Sequence, residues 1–188
     1  MKNIQTGLAC LLLLSGIAFA QANKPAEHPT VSQVLNESIT NIENEFGPAA
    51  DAMPEDKYSF APSSGEFKDV RTFGEQVKHV ATVNYLLAGS ILGEKPPVDV
   101  STEKGPPSIQ SKAEIMKYLK DSFTYIHKAV GAMDEHNLLT SVKDPFGGDG
   151  TTTRLGLAVE IASHCTDHYG QLVEYLRMNG IIPPASRR

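Results

Sequence analysis

The sequence has 188 residues, with 17 Lys+Arg against 22 Asp+Glu, a formal net charge of −5 and a pI near 5.7. This length suits a single domain. The acidic balance, with no basic run beyond Arg187-Arg188, argues against a chain built to neutralise phosphates, so no nucleic-acid partner is expected.

Lys2 precedes an apolar stretch from Leu8 to Phe19 that closes on Ala18-Phe19-Ala20 before Gln21. A positive start, an apolar centre and small residues at the −3 and −1 positions predict a secretory signal peptide over 1–20, hence an exported, periplasmic or extracellular protein. The apolar centre is shorter than the ~20 residues a membrane span needs. Cys10 lies too early in that stretch for a lipoprotein signal. Cleavage would leave no membrane segment. It would also leave Cys165 as the only cysteine, so stability has to come from packing or a metal rather than an intrachain disulfide.

Residues 21–29 are polar and read as a flexible leader before a domain over 30–188. Thr30-Val31-Ser32-Gln33 resembles a capping box. Val31, Val34, Leu35, Ile39 and Ile42 follow at helical spacing, predicting a first helix to about Met53 with a kink or break at Gly47-Pro48. Residues 54–66 read as a loop. A second helix is predicted from about Lys68 to Leu92, with Phe73, Val77, Val80, Val83, Leu86 and Leu87 inward and Gly93 as its stop. The proline-rich stretch 94–110 is a long connection.

Ser111-Lys112-Ala113-Glu114 opens a third helix that carries Ile115, Leu119, Phe123, Ile126, Val130 and Met133 to about Asp134. The segment 144–150 has turn chemistry but lacks the Gly-Lys-Ser/Thr ending of a phosphate loop. A fourth helix is predicted from about Thr152 to Asn179, before Gly180. No segment has β periodicity. The expectation is all-α: a four-helix bundle with a long connection between helices two and three that permits a crossover.

Of six histidines, His28 and His136 read as exposed bystanders and His127 as a partly buried packing residue. His164 and His168 fall about 40° apart on the wheel of helix four, among Leu157, Ile161, Leu172 and Leu176. Two inward imidazoles one turn apart can reach one metal ion, although two histidines hydrogen-bonded in a core give the same pattern. His79, at the edge of the inward arc of helix two, can complete a three-histidine site with an open position. Glu75 and Glu160, each four residues before a site histidine, are candidate partners for the second imidazole nitrogen or plain solvated carboxylates. The string His164-Cys165-Thr166-Asp167-His168 puts cysteine where a zincin protease needs glutamate, which argues against that class. Cys165 faces inward as a fourth ligand, a reactive thiol or a small buried hydrophobe. Asn84, Tyr85 and Tyr169 lie close enough in sequence to shape a pocket.

The stretch from Phe73 to Ala81 with Asn84-Tyr85, the string from His168 to Arg177 followed by Gly180 and Pro183-Pro184, and the segment Ala52–Phe60 resemble the DinB/YfiT-like family over about 31–185. The resemblance implies a four-helix bundle whose helix order is not simply up-down-up-down. It implies a divalent metal, nickel or zinc, on His79, His164 and His168, and often a homodimer. Some relatives are metal-dependent transferases or isomerases that use low-molecular-weight thiols, and an export signal would take this chain away from such cytosolic thiols. The leading expectation is therefore a divalent-metal-dependent enzyme acting on a small molecule by hydrolysis or thiol-type transfer. The alternatives are a noncatalytic bundle that binds metal or a small ligand, and a structural bundle in which the histidines are packed or the metal is a staple.

Overall fold

The computed structural model describes residues 28–187. The expected signal peptide and most of the leader lie outside that range. Four helices form the body: α1 (Val31–Ala52), α2 (Phe73–Leu92), α3 (Lys112–Gly131) and α4 (Arg154–Met178). A short 3-10 turn, Glu55–Lys57, follows α1, and another, Pro184–Ser186, follows α4. Among the described residues no helix is long and apolar enough to cross a membrane.

The capping boxes expected at Thr30/Gln33 and Ser111/Glu114 are present. A third, at Thr72/Glu75, moves the start of α2 from about Lys68 to Phe73. Gly93, in the left-handed conformation at φ 69°, ends α2 as expected. Helix α3 ends at Gly131, three residues early. Helix α1 continues through Gly47-Pro48 instead of breaking there. Pro48 and Asn44, whose carbonyl loses its helical partner to the proline ring, both lie on the exposed side, where water can compensate. Val34 faces solvent at 52 % exposure, because it falls on the same exposed stripe of α1 as Ser38, Asn41 and Glu45.

Helix α1 packs on α3 and α4, and α2 also packs on α3 and α4. The order around the bundle is therefore α1-α3-α2-α4. Helices consecutive in sequence, α1 and α2, stand at opposite corners, as do α3 and α4. The connections 53–72 and 93–111 make this crossover possible. Phe46, Phe73, Leu119, Phe123, Ile161 and Leu172 are fully buried where the four helices meet.

The first connection is tied to the start of α2. Tyr58 Oη donates to the Ala50 carbonyl at 2.8 Å, while the N–H groups of Phe73 and Gly74 donate to the carbonyls of Phe60 and Tyr58, each at 2.8 Å. These bonds satisfy helix-end groups that would otherwise be buried without partners.

A small antiparallel hairpin that the sequence did not signal accompanies the four expected helices: β1 (Ser141–Lys143) pairs with β2 (Thr151–Thr153) in the register Val142↔Thr152. Three-residue strands are too short to display a period of two. The turn-like segment 144–150 is their loop, with the Asp144 carboxylate accepting from Phe146 N–H at 2.9 Å. Thr153 at the end of β2 is also the N-cap of α4.

The Glu75 carboxylate accepts from the Thr72 N–H at 2.8 Å, and this bond holds its pKa below the usual 4.5. A depressed carboxylate stabilises the fold above its unfolded pKa, and that contribution is lost as pH falls through the lower folded value. Glu75→Gln, whose amide oxygen can still cap, is expected to lose under about 1 kcal/mol at pH 7. The gap to the parent should narrow as pH falls below the unfolded value of about 4.3, as read by urea unfolding at neutral and acid pH.

Candidate metal centre

His79 comes from the second turn of α2, and His164 and His168 from successive turns of α4. These helices are direct neighbours in the crossed order, so the three rings converge. Their ligand nitrogens lie within 4.8 Å of one another, the one such group among the described residues. His79 Nε2 and His164 Nε2 are 3.2 Å apart, and the ring centroids stand 4.5 to 5.1 Å from each other. His79 and His168 are 4 % and 7 % exposed.

Burial pushes all three imidazoles toward the neutral form. His164 is pushed down to about 3 and His168 to about 4, mainly by desolvation and then by neighbouring imidazoles. His79 is lowered too, again by desolvation, against the pull of its bond to Glu103. Neutral imidazole is the form that binds a metal.

The Nδ1 of His79 lies 3.0 Å from the Glu103 carbonyl oxygen. A carbonyl only accepts, so Nδ1 carries the proton and the lone pair sits on Nε2, facing His164. The Nδ1 atoms of His164 and His168 are buried with no partner. Three neutral rings hold three N–H groups and three lone pairs, and this packing leaves part of that capacity unused. A divalent cation accepts lone pairs in such a space, so the donor set fits one.

The partner of His79 is thus a backbone carbonyl from the 93–111 connection, not Glu75, which caps α2. Glu160 makes no bond to an imidazole, and burial raises its pKa, with the nearby Asp144 charge adding. Cys165 is 0 % exposed and stands outside the histidine group. Its Sγ–H donates to Asn84 Oδ1 at 3.3 Å, and Asn84 Nδ2 donates to Ser122 Oγ at 3.2 Å. Burial raises its pKa to about 12, so at neutral pH it is a packed thiol rather than a nucleophile.

Asn84 therefore belongs to this internal ladder. Tyr85 stacks on Tyr118 at 5.2 Å, on the α3 side of α2 and away from the site. Tyr169 is half-buried packing. His28 and His136 are exposed. His127 joins α3 to α1, with its ring nitrogens 2.5 Å from Asn36 Oδ1 and 3.1 Å from Glu43 Oε2.

Sequence reasoning missed two groups. Gln76 Nε2 donates to Gln171 Oε1 at 2.6 Å, and Gln171 Nε2 donates to Asp167 Oδ2 at 2.9 Å. Gln76 precedes His79 by three residues and Gln171 follows His168 by three, so helical spacing was a usable signal. Arg71 donates to Glu103 Oε2 at 3.3 Å, and the same oxygen is 3.8 Å from His79 Nδ1. Nothing in the local sequence links Glu103 to His79.

A helical bundle with crossed helix order and three converging imidazoles on two adjacent helices defines a histidine-rich bundle of metal-site type. A family model, the DinB superfamily, matches residues 39–172. The chain belongs to that superfamily. It resembles the crystal structures of a DinB-like protein from Bacillus cereus (TM-score 0.65, 16 % identity, covering 80 % of this chain and 93 % of that one) and a DinB-like protein from Bacillus subtilis (0.63, 18 %, 82 % and 99 %). A conserved protein from Enterococcus faecalis is similar as well (0.62, 14 %, 80 % and 98 %). At these identities the likeness concerns the fold. No curated protein sequence matches the chain.

Two outcomes test this geometry. Cys165 is expected to resist a thiol reagent in the folded protein and to react fully in denaturant, as read by mass spectrometry of the alkylated chain. Gly105 has φ +69°, and a Cβ there would meet Thr82 Oγ1 at 2.5 Å. Gly105→Ala is expected to cost about 1–3 kcal/mol and to shift the turn that carries Glu103. Nitrogen-15 imidazole spectra should then show His79 changing from one Nδ1–H tautomer to a mixture.

Proposed function

We propose that this chain is a divalent-metal-dependent enzyme, using nickel or zinc on His79, His164 and His168, that acts on a small molecule by hydrolysis or thiol-type transfer. The observation that carries the reading is the meeting of three imidazole nitrogens within 4.8 Å, from two buried rings and the half-buried His164, with no fourth protein ligand among the described His, Cys, Asp and Glu residues. Such a set leaves coordination positions free for exchange, which distinguishes catalytic from closed structural sites.

The bound cation would supply Lewis acidity. The protein's own part is positional. The Glu103 carbonyl holds the His79 proton on Nδ1 and so frees Nε2. Burial of the other two rings keeps them neutral. Arg71 and Asp167 bring charge to the edge of the site without entering the histidine group. The reading extends to an exported protein, supported by the pattern of residues 1–20, and to a homodimer, supported by the family resemblance.

The test is metal content. The chain purified without chelator or His-tag is expected to carry one nickel or zinc by elemental mass spectrometry, and a His79→Ala/His164→Ala/His168→Ala variant none. A parent chain that stays metal-free after incubation with either ion would sink the enzyme reading and leave a ligand-binding or structural bundle.

A further inference from the structure

A cavity of about 900 Å³ opens between the N-terminal end of α2, the segment 62–71 and the C-terminal half of α4. None of the three histidines lines it, but their helix neighbours do: Gln76 and Gln171 on its wall are one turn from His79 and His168, and Asp167 is next to His168. Most of the wall is apolar, contributed by Pro62, Phe67, Val70, Tyr175 and Met178. Phe67 and Met178 are 42 % and 51 % exposed. An apolar concavity with a few polar groups is the usual form of a small-molecule site.

The wall charges differ in how far they are already engaged. Asp167 accepts from Gln171. Glu174 pairs with Arg177 at 2.7 Å. Asp69 has no ion-pair partner among the described residues, and neither does Lys104. Arg71 gives one side-chain N–H to Glu103 and keeps the rest of its five donors free. The unused donor capacity on the wall is thus concentrated on Arg71 and Lys104. Arg71 is the closer to the chemistry, because the carboxylate oxygen it holds is the one 3.8 Å from His79 Nδ1.

Gly170 supplies a separate observation. It lies in the interior of α4, where glycine costs roughly 1 kcal/mol relative to alanine, and it lines the cavity. A Cβ built there meets nothing within 4 Å, and its φ is not positive. Neither crowding nor backbone conformation calls for glycine at this position. What its absent side chain leaves is space in the cavity.

We infer that this cavity is the substrate chamber of the three-histidine site and takes a small organic acid with an apolar acyl or aryl body. Its anionic group binds Arg71 and Lys104, and its body lies along Phe67, Val70, Tyr175 and Met178. The assignment as substrate rests on the metalloenzyme reading above; the acid-binding site stands without it.

The experiment uses two fluorescent probes, 8-anilinonaphthalene-1-sulfonate and its uncharged relative N-phenyl-1-naphthylamine, with the chain both zinc-loaded and EDTA-treated. Both probes are expected to bind saturably. Arg71→Gln/Lys104→Gln should weaken the sulfonate at least tenfold and the neutral probe less than twofold, and about 0.5 M salt should reproduce that difference in the parent. Gly170→Leu, which gains helix propensity and whose Cβ meets nothing within 4 Å, should exclude both probes while circular dichroism and metal content stay unchanged. Equal weakening of both probes by the double variant would overturn the anion assignment. Full binding to Gly170→Leu would overturn the location. If the chain binds zinc but neither probe, the chamber falls and the metal reading survives. If it binds no metal yet discriminates the probes, the acid site stands and its link to catalysis falls.

Discussion

Three imidazoles share one water-poor space between α2 and α4, and each gives up much of its hydration to be there. In that space a protonated ring would face two other rings and the Arg71 charge, so the neutral form is held. Neutral rings in turn need acceptors for their N–H groups and a use for their lone pairs. The Glu103 carbonyl meets the first need at His79. The second is met within the protein only by the 3.2 Å approach of two Nε2 atoms. The site therefore depends on packing that strips much of the water from the rings, and that packing favours their uncharged form.

The helix order makes this possible. An up-down-up-down bundle would set α1 beside α2 and α3 beside α4. Here α2 lies against both α3 and α4, and its two sides carry different contents. Toward α3 it presents Tyr85 and Thr82, joined to Tyr118, while Asn84 bridges Ser122 of α3 and Cys165 of α4. Toward α4 it presents Gln76 and His79, joined to Gln171 and His164. The length of the connections permits the crossing, and the 93–111 connection also closes over the site. Gly105 lets its turn approach Thr82 and Lys78 closely enough for the neighbouring Glu103 carbonyl to reach His79.

Two residue types that suggest chemistry act here as structure. Glu75 sits one helical turn from His79, yet its carboxylate is engaged by the N-terminus of α2, where free N–H groups make the stronger local claim. Cys165 sits between the two clustered histidines of α4, yet its side chain lies on the face that packs against Asn84. Conversely, Arg71 and Lys104 precede or lie outside the helices that carry the motif, and they acquire significance only through the cavity they line.

The sequence by itself determined the four helices, two of their capping boxes, the Gly93 stop and the inward placement of His79, His164 and His168. Each of these follows from interactions within a few residues: periodic burial, hydroxyl and carboxylate caps, and the i, i+4 geometry of a helix face. The tertiary structure alone decided that a carbonyl 24 residues from His79 fixes its tautomer and that Gln76 bonds Gln171 across 95 residues. It also decided the hairpin, whose strands are too short to signal themselves. These contacts arise when separate apolar faces choose partners, and that choice is settled by loop length and side-chain fit across the whole bundle, which no local window of sequence contains.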